Sequence, residues 1–327
     1  MEAIRRGLRR AAVLFAAAAA LGAAAQSWPS RPVTVIVPFA AGGPTDTIAR
    51  IVAERMGRTL GQPVVVENVA GAGGTIAAQR VARSSPDGYT VFIGHNGPMV
   101  FAPAMQPVQF DALADFETLG MIATNPQVIV SNPAVPAKDL RELIAWAKKE
   151  GDKVAAGTGG PGTPAHISVV YFGREIGAPV QPIHYKGSGP AMQDMIAGHI
   201  QLGFEQAANA LPQIRGGKMR AYAVTSKARL QSAPDIPTTD EAGLPGFHMT
   251  IWHGYWVPKG TPREVVAKLN GALREAVADA AVKKKLDDLG QEIPAADQQS
   301  PEAHRAFHKA EVEKWWPVIK AAGIKAQ

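Results

Sequence analysis

Short apolar runs alternate along the chain with segments whose apolar residues recur every three to four positions, and glycine-rich turns join them. Val33–Val37 reads as a strand, and the next segment places Ile48, Ile51, Val52, Met56 and Leu60 on one face of a helix. Between them lies Val37-Pro38-Phe39-Ala40-Ala41-Gly42-Gly43-Pro44-Thr45-Asp46, a strand–turn–helix junction. Its glycines let backbone come close to a ligand, and the free N–H groups of the first helical turn point out of it. Such a junction attracts an anion, and it equally suits an ordinary connection capped by Thr45 or Asp46.

The unit recurs. Val64–Asn68 is a second strand, followed by Gly71-Ala72-Gly73-Gly74-Thr75 and a helix over 76–83. A third strand over 89–94 empties into His95-Asn96-Gly97-Pro98. In a right-handed parallel arrangement these turns share the carboxyl edge of the sheet, where open α/β sheets bind ligands, which brings Asn96 and Gly97 into the candidate site. Residues 117–131 hold two short strand-like runs broken at Asn125-Pro126, and a helix over 138–150 follows. The pattern then restarts: a strand over 153–157, the turn from Thr158 through Thr163 to Pro164, and a helix over 165–176. A strand over 180–185, the turn Lys186-Gly187-Ser188-Gly189-Pro190 and a helix through Met192 and Met195 repeat it. Strands over 200–204 and 219–225 complete a second α/β domain. The proline-rich stretch 234–246 reads as a surface loop. An aromatic strand over 251–256 and three helices, the last over 301–322, would cover the first domain. The expected division is 26–124 plus 226–327 in one domain and 125–225 in the other.

Composition removes several function classes. Arg5, Arg6, Arg9 and Arg10 precede an alanine-rich run too short to span a bilayer, and Ala23-Ala24-Ala25 fits a cleavage site before Gln26. Residues 1–25 are therefore expected to be a cleaved signal peptide, and the protein periplasmic. Without that segment the 34 basic and 28 acidic residues become 30 and 27, a net charge of +3 that is too mild to argue for nucleic acid. There is no cysteine for disulfides, thiolate metal sites or a lipid anchor.

Catalytic and cofactor patterns are incomplete. Gly157, Gly159 and Gly162 satisfy G-x-G-x-x-G, but His184-Tyr185 stands where the next strand should deliver an acid to a ribose. Ser188 lacks the first glycine of a nucleophile elbow and reads as a turn residue or a hydrogen-bond donor to ligand. His304 and His308 are four apart on a helix, with Arg305 replacing the glutamate of H-E-x-x-H, and are read as a solvated helix face. His166 opens a helix just beyond a glycine loop, where it approaches a ligand or packs locally. The tryptophans read as helix packing. This is the pattern of a binder with no cofactor or metal: a cleft of backbone N–H groups and small hydroxyls suits a carboxylate. Asp46 would repel an anion placed against it, so it is expected to accept from a ligand hydroxyl, ammonium or water.

The sequence resembles the tripartite tricarboxylate transporter solute receptors, the Bug or TctC-like family of periplasmic binding proteins. The carrying residues are Trp28-Pro29, Pro38-Phe39-Ala40-Ala41-Gly42-Gly43 with Asp46 and Arg50, Gly71-Ala72-Gly73-Gly74, and Pro86-Asp87-Gly88-Tyr89-Thr90. Further on come Gly162-Thr163-Pro164-Ala165-His166, Tyr185-Lys186-Gly187, Ala223-Val224-Thr225-Ser226 and Gly260-Thr261-Pro262. The resemblance implies a two-domain type II periplasmic binding fold, a "Venus flytrap" of mainly parallel sheets flanked by helices. It would capture an organic anion, typically a carboxylate, and deliver it as a monomer to the membrane permease of a tripartite transporter. The loops matching Phe39, Ala40, Ala41 and Asp46, and Gly73, Gly74 and Thr75, would hold the carboxylate. Thr158, Thr163, Gly187 and Ser188 would close from the second domain. Pro98-Met99 and Glu205 depart from the family pattern and point to a ligand with an apolar or aromatic part, Glu205 placing an acid further into the cleft. Other readings are a ligand sensor for a membrane signalling protein and an exported dinucleotide-dependent oxidoreductase.

Overall fold

The computed structural model describes residues 28–321 and 323–325; the expected signal peptide and its cleavage site lie outside them. In chain order the elements are β1 (Val33–Val37), α1 (Pro44–Leu60), β2 (Val64–Asn68), α2 (Thr75–Ala82) and β3 (Thr90–His95), then a π-helical turn over Gly97–Phe101 that runs into α3 (Ala102–Met105). β4 (Phe116–Ser131), α4 (Leu140–Glu150), β5 (Ala155–Thr158), α5 (Pro164–Ile176), β6 (Gln181–His184), α6 (Ser188–Ala197) and β7 (Leu202–Gln206) follow. The chain ends with α7 (Ala207–Arg215), β8 (Arg220–Val224), β9 (Thr250–Pro258), α8 (Arg263–Ala278), α9 (Ala280–Asp288) and α10 (Pro301–Ala321). Among the described residues no helix is long and apolar enough to cross a membrane.

The strands line up as β2-β1-β3-β9-β4-β7-β5-β6, with β8 also on β4. Both ends of this order are parallel, β1 running with β2 and β3, and β5 with β6 and β7. The middle is antiparallel, because β9 opposes β3 and β4, and β4 opposes β7 and β8. The sheet is thus mixed, with parallel arms tied together by β4 and β9. Parallel arms need helical crossovers, and this is why each glycine turn sits between a strand end and a helix start. α1 shows the local logic: Pro44 occupies the first helical turn, where its missing N–H costs nothing, and Gly61 closes the helix at φ +68°.

β4 is one strand of 16 residues, not two runs broken at Asn125-Pro126. Its first part pairs with β9 as far as Pro126, and from Gln127 it pairs with β7 and β8. Proline lacks the ladder donor, and it falls where the strand exchanges neighbours. Thr225 ties this exchange point to the segment before β9: its Oγ1 accepts from Gln127 N–H (2.9 Å) and donates to Met249 O (2.7 Å).

Buried side chains form clusters on both faces of each half. In the first half Val33, Val35 and Val37 pack against α1 and α8, while Ile36, Phe92 and Trp256 pack under α2 and α10. In the second half Ile129, Phe172 and Phe204 form one cluster, and Val128, Met192 and Leu211 form the other. Segment 226–249 does not return to the first half as expected. Leu244 and Phe247 join Phe172 and Phe204, and Leu230 and Ile236 join Val128 and Leu211. The aromatic strand does pack as read, with Trp252 and Trp256 buried and Trp252 Nε1 donating to Glu311 Oε2 at 3.1 Å. His304 and His308 are a correction: both are buried against Trp252 and Trp256. The stripe His304, His308, Val312 and Ile319 is the buried face of α10, and burial drives both imidazole pKa values down.

Candidate functional site

The carboxyl ends of β1 and β3 in one half face those of β5, β6 and β7 in the other. The N-termini of α1, α5 and α6 enter the same gap, each leaving first-turn N–H groups without a helical acceptor. Between them is a narrow cavity of about 20 Å³, lined among others by Phe39, Thr45, His95, Gln127, Gly159, Thr163, Ser188, Gln206 and Ile251. No charged side chain lines it.

The turns of the two halves touch across this cavity. Ala40 N–H donates to Lys186 O at 3.1 Å. A Cβ on Gly73 would sit 1.8 Å from Pro161 O, and one on Gly187 would sit 3.2 Å from Ala40 N. Gly162 leaves its Cβ space to Ala102 in the same way. Glycine is required at these positions because backbone meets backbone, and Gly73 also adopts φ +64°.

Of the residues expected from sequence, Phe39, Thr163 and Ser188 line the cavity. Ala40, Gly73 and Gly187 make the contacts between the halves; Ala41 O lies 3.5 Å from the Cβ position of Gly189. Gly74 fits against Pro38, Pro98 and Phe39, and Thr75 Oγ1 donates to Ala72 O at 2.9 Å, so both shape the turn behind the cavity. Asn96 Nδ2 donates to Thr250 O (3.0 Å) and Gly97 N–H to His95 Nδ1 (2.8 Å). Thr158 Oγ1 bonds His184 Nδ1 at 2.7 Å. His166 packs edge-on against His184, accepts from Gly162 N–H at 3.2 Å and is absent from the cavity wall; burial, then His184, lowers its pKa to about 4.

Two acidic residues stand elsewhere than the sequence reading put them. Asp46 is buried and its carboxylate is filled by protein donors: Gly42 N–H (3.0 Å) and Arg50 Nε (3.0 Å) on Oδ2, Asn68 Nδ2 (2.9 Å) and an Arg50 guanidinium nitrogen (2.9 Å) on Oδ1. No lone pair is left for a ligand hydroxyl. Burial pushes its pKa up, but the bonds from Arg50, Gly42 and Asn68 outweigh that and hold it below the usual carboxylate value. Glu205 lies on the opposite face of β7 from Phe204 and Gln206, which line the cavity, because side chains alternate along a strand. It is 2% exposed, its contact is Asn209 Nδ2 at 3.4 Å, and burial raises its pKa to about 7 against the opposing hydrogen bond. Pro98 and Met99 likewise leave the cavity. The π-helical turn carries Met99 into the core and its carbonyl accepts from His308 Nε2 at 3.0 Å.

The sequence reading missed Thr45, His95, Gln127 and Gln206. Gln127 is held by Phe204 O and by Ser168 Oγ, and Gln206 Oε1 accepts from Asn125 Nδ2 at 3.3 Å. Gln127 stands inside β4 where the strand changes neighbours and Gln206 ends β7, and a linear pattern marks both strands only as apolar. Among the described residues no group of three or more His, Asp or Glu could hold a metal.

A two-lobed α/β fold with an uncharged cavity between opposed glycine turns defines a periplasmic binding protein. The model of the "Tripartite tricarboxylate transporter family receptor" (TctC) matches residues 48–324, and the chain belongs to this family. It is 41% identical over 300 residues to the "UPF0065 protein in the TAR-I ttuE-ttuC' intergenic region" of Agrobacterium vitis, covering 92% of this chain and 87% of that protein. Among solved structures it resembles the periplasmic binding protein BugD (40% identity, TM-score 0.89, 92% of this chain and 100% of that one). MatC from Rhodopseudomonas palustris with bound malate (37%, 0.86, 89% and 100%) and R. palustris Rpa4515 with adipate (32%, 0.87, 91% and 99%) share the same fold.

Proposed function

We propose that this protein captures a small organic carboxylate in the interdomain cleft and, closed around it, delivers it to the membrane permease of a tripartite transporter. The observation that carries this reading is the cavity itself. It holds no carboxylate, its walls offer amide and hydroxyl groups, and three helix N-termini converge on it. Partial positive charge and free N–H groups favour an anion there without any arginine. MatC with malate and Rpa4515 with adipate place carboxylates in relatives of the same fold. A volume of about 20 Å³ leaves room for little more than a water, so the lobes must part to admit an acid before closing around it. The dinucleotide reading lacks its acid, since β6 ends in His184, which is bonded to Thr158.

The moving parts follow from the strand pairing. One lobe is 28–125 with 250–325 and the other 127–249, hinged where β4 changes partners and where Thr225 meets Gln127 and Met249. This assigns 226–249 to the second lobe, because its apolar residues pack there. Ligand touching both lobes stabilises the closed state by its differential affinity, and the monomeric closed form is what the permease reads. The protein acts as a binder, not an enzyme, in the periplasm. A thermal-shift panel of mono-, di- and tricarboxylates, aromatic acids, amino acids and NAD tests this. A saturating rise with one carboxylate class, about 4 kcal/mol at a thousand times Kd, is expected. A rise with NAD alone would overturn it.

A further inference from the structure

His95 is the titratable side chain on the cavity wall, and its setting fixes which nitrogen carries the proton. The residue is 2% exposed, and its ring lies flat on Phe39, with centroids 5.0 Å apart and planes within 5°. His253 meets it edge-on at 5.5 Å. Burial, with His253 adding to it, drives the imidazole pKa well below its ordinary value, so the ring is neutral near pH 7 and has a single N–H. Its Nδ1 accepts the Gly97 N–H at 2.8 Å. A nitrogen that accepts a hydrogen bond has no hydrogen, so the proton must be on Nε2. Nε2 has no partner among the described residues, yet it is not one of the sealed, unpartnered side-chain atoms of the interior. It therefore keeps an outlet, and the space the ring lines is the cleft cavity.

We propose that His95 is locked as the Nε2–H tautomer and is the first lobe's side-chain donor to the bound ligand, so that the ligand presents an acceptor oxygen, such as a carboxylate oxygen, to it. This contact rests on the carboxylate reading given above, but the tautomer lock does not. A donor on a rigid ring discriminates by geometry: an acid too short to bring an oxygen to Nε2 loses the bond while the turns still grip its other end. Nothing in the turn sequence marks this role, because the bond that sets the tautomer comes from the backbone two residues on.

The test uses full-length mature protein. Nitrogen-15 histidine spectra of the ligand-free protein should show His95, assigned by its loss in H95F, as a neutral ring protonated at Nε2. Addition of adipate or malate, whichever binds, should move that N–H resonance. H95F keeps the flat stack on Phe39 but removes both the Nε2–H donor and the acceptor of Gly97 N–H, so it should weaken binding of the same acid about 10- to 100-fold together with some loss of melting temperature. H95Q, which restores an N–H, should recover part of the loss. A ring protonated at Nδ1, or unchanged affinity in H95F, overturns the proposal alone. If wild-type protein binds no acid of the wider panel, the ligand contact falls together with the receptor reading, and the tautomer spectrum still decides the lock.

Discussion

Alanine at position 73 would place a Cβ 1.8 Å from the carbonyl oxygen of Pro161 on the facing lobe. Ordinary contact begins near 3.4 Å, so the turns must separate there by about 1.6 Å. The neighbouring Ala40 N–H···O Lys186 bond, now 3.1 Å, does not survive such a shift. Losing that bond costs about 0.5–1.5 kcal/mol, and misplacing the cleft walls around ligand costs at least as much again. G73A should therefore weaken carboxylate binding about 10- to 100-fold. Alanine also strains the left-handed backbone at φ +64°, by about 1–2 kcal/mol. The control is G42A, which has the same kind of strain at φ +83° but nothing within 4 Å of its Cβ. Calorimetric titration of both variants against a carboxylate separates closure from strain. Both should lose similar thermal stability without ligand, and only G73A should lose most of its affinity. Equal affinities in the two variants would refute the claim that this contact belongs to the bound, closed state.

Glu205 should be a net destabiliser at neutral and higher pH. Its pKa rises from 4.5 to about 7, so folding is disfavoured as pH climbs through that window, by about 3 kcal/mol above it. E205Q should raise the urea midpoint at pH 8 and differ little below pH 4; a lower midpoint at pH 8 would contradict the burial argument. D46N should lower stability by about 1–3 kcal/mol, because Arg50, Asn68 and Gly42 lose their shared acceptor, while changing ligand affinity less. An affinity loss with unchanged stability would return Asp46 to the ligand. Acid should loosen the fold well above the carboxylate range. Burial lowers the pKa of His166 and His308 to about 4 and of His253 to about 3, so the unfolded chain takes up protons near pH 6.5 that the native one refuses. Their contribution is fully present above pH 6.5 and is lost as pH falls toward 4, so urea midpoints at pH 5 should lie below those at pH 7.5.

Much of the fold is visible in the sequence because its units are local: an apolar run, a glycine turn, an amphipathic helix. β1, β2 and α1 fall where the periodicity puts them. The losses occur where a long-range contact outweighs a local signal. Pro126 reads as a break, yet β4 continues through it because the neighbours change there. α7 escapes notice because it is a short helix with Pro212 inside it, a residue that reads as a break. In the site, the family resemblance finds the turns but cannot say which atoms face the cavity. Asp46 is claimed by Asn68, 22 residues away, Glu205 is turned aside by strand alternation, and His304 and His308 have a tryptophan surface awaiting them that charge patterning does not reveal.

The measurement that bears most directly on the central claim is calorimetric titration of the mature protein with malate, adipate and the wider acid panel, beside S188W. Ser188 opens α6 at the cavity wall, and an indole there fills the cleft. Saturable 1:1 binding of one carboxylate class near micromolar Kd, abolished in a folded S188W, is the predicted result. Carboxylate binding that survives the plug, or no carboxylate binding by the wild type, would contradict capture in this cleft.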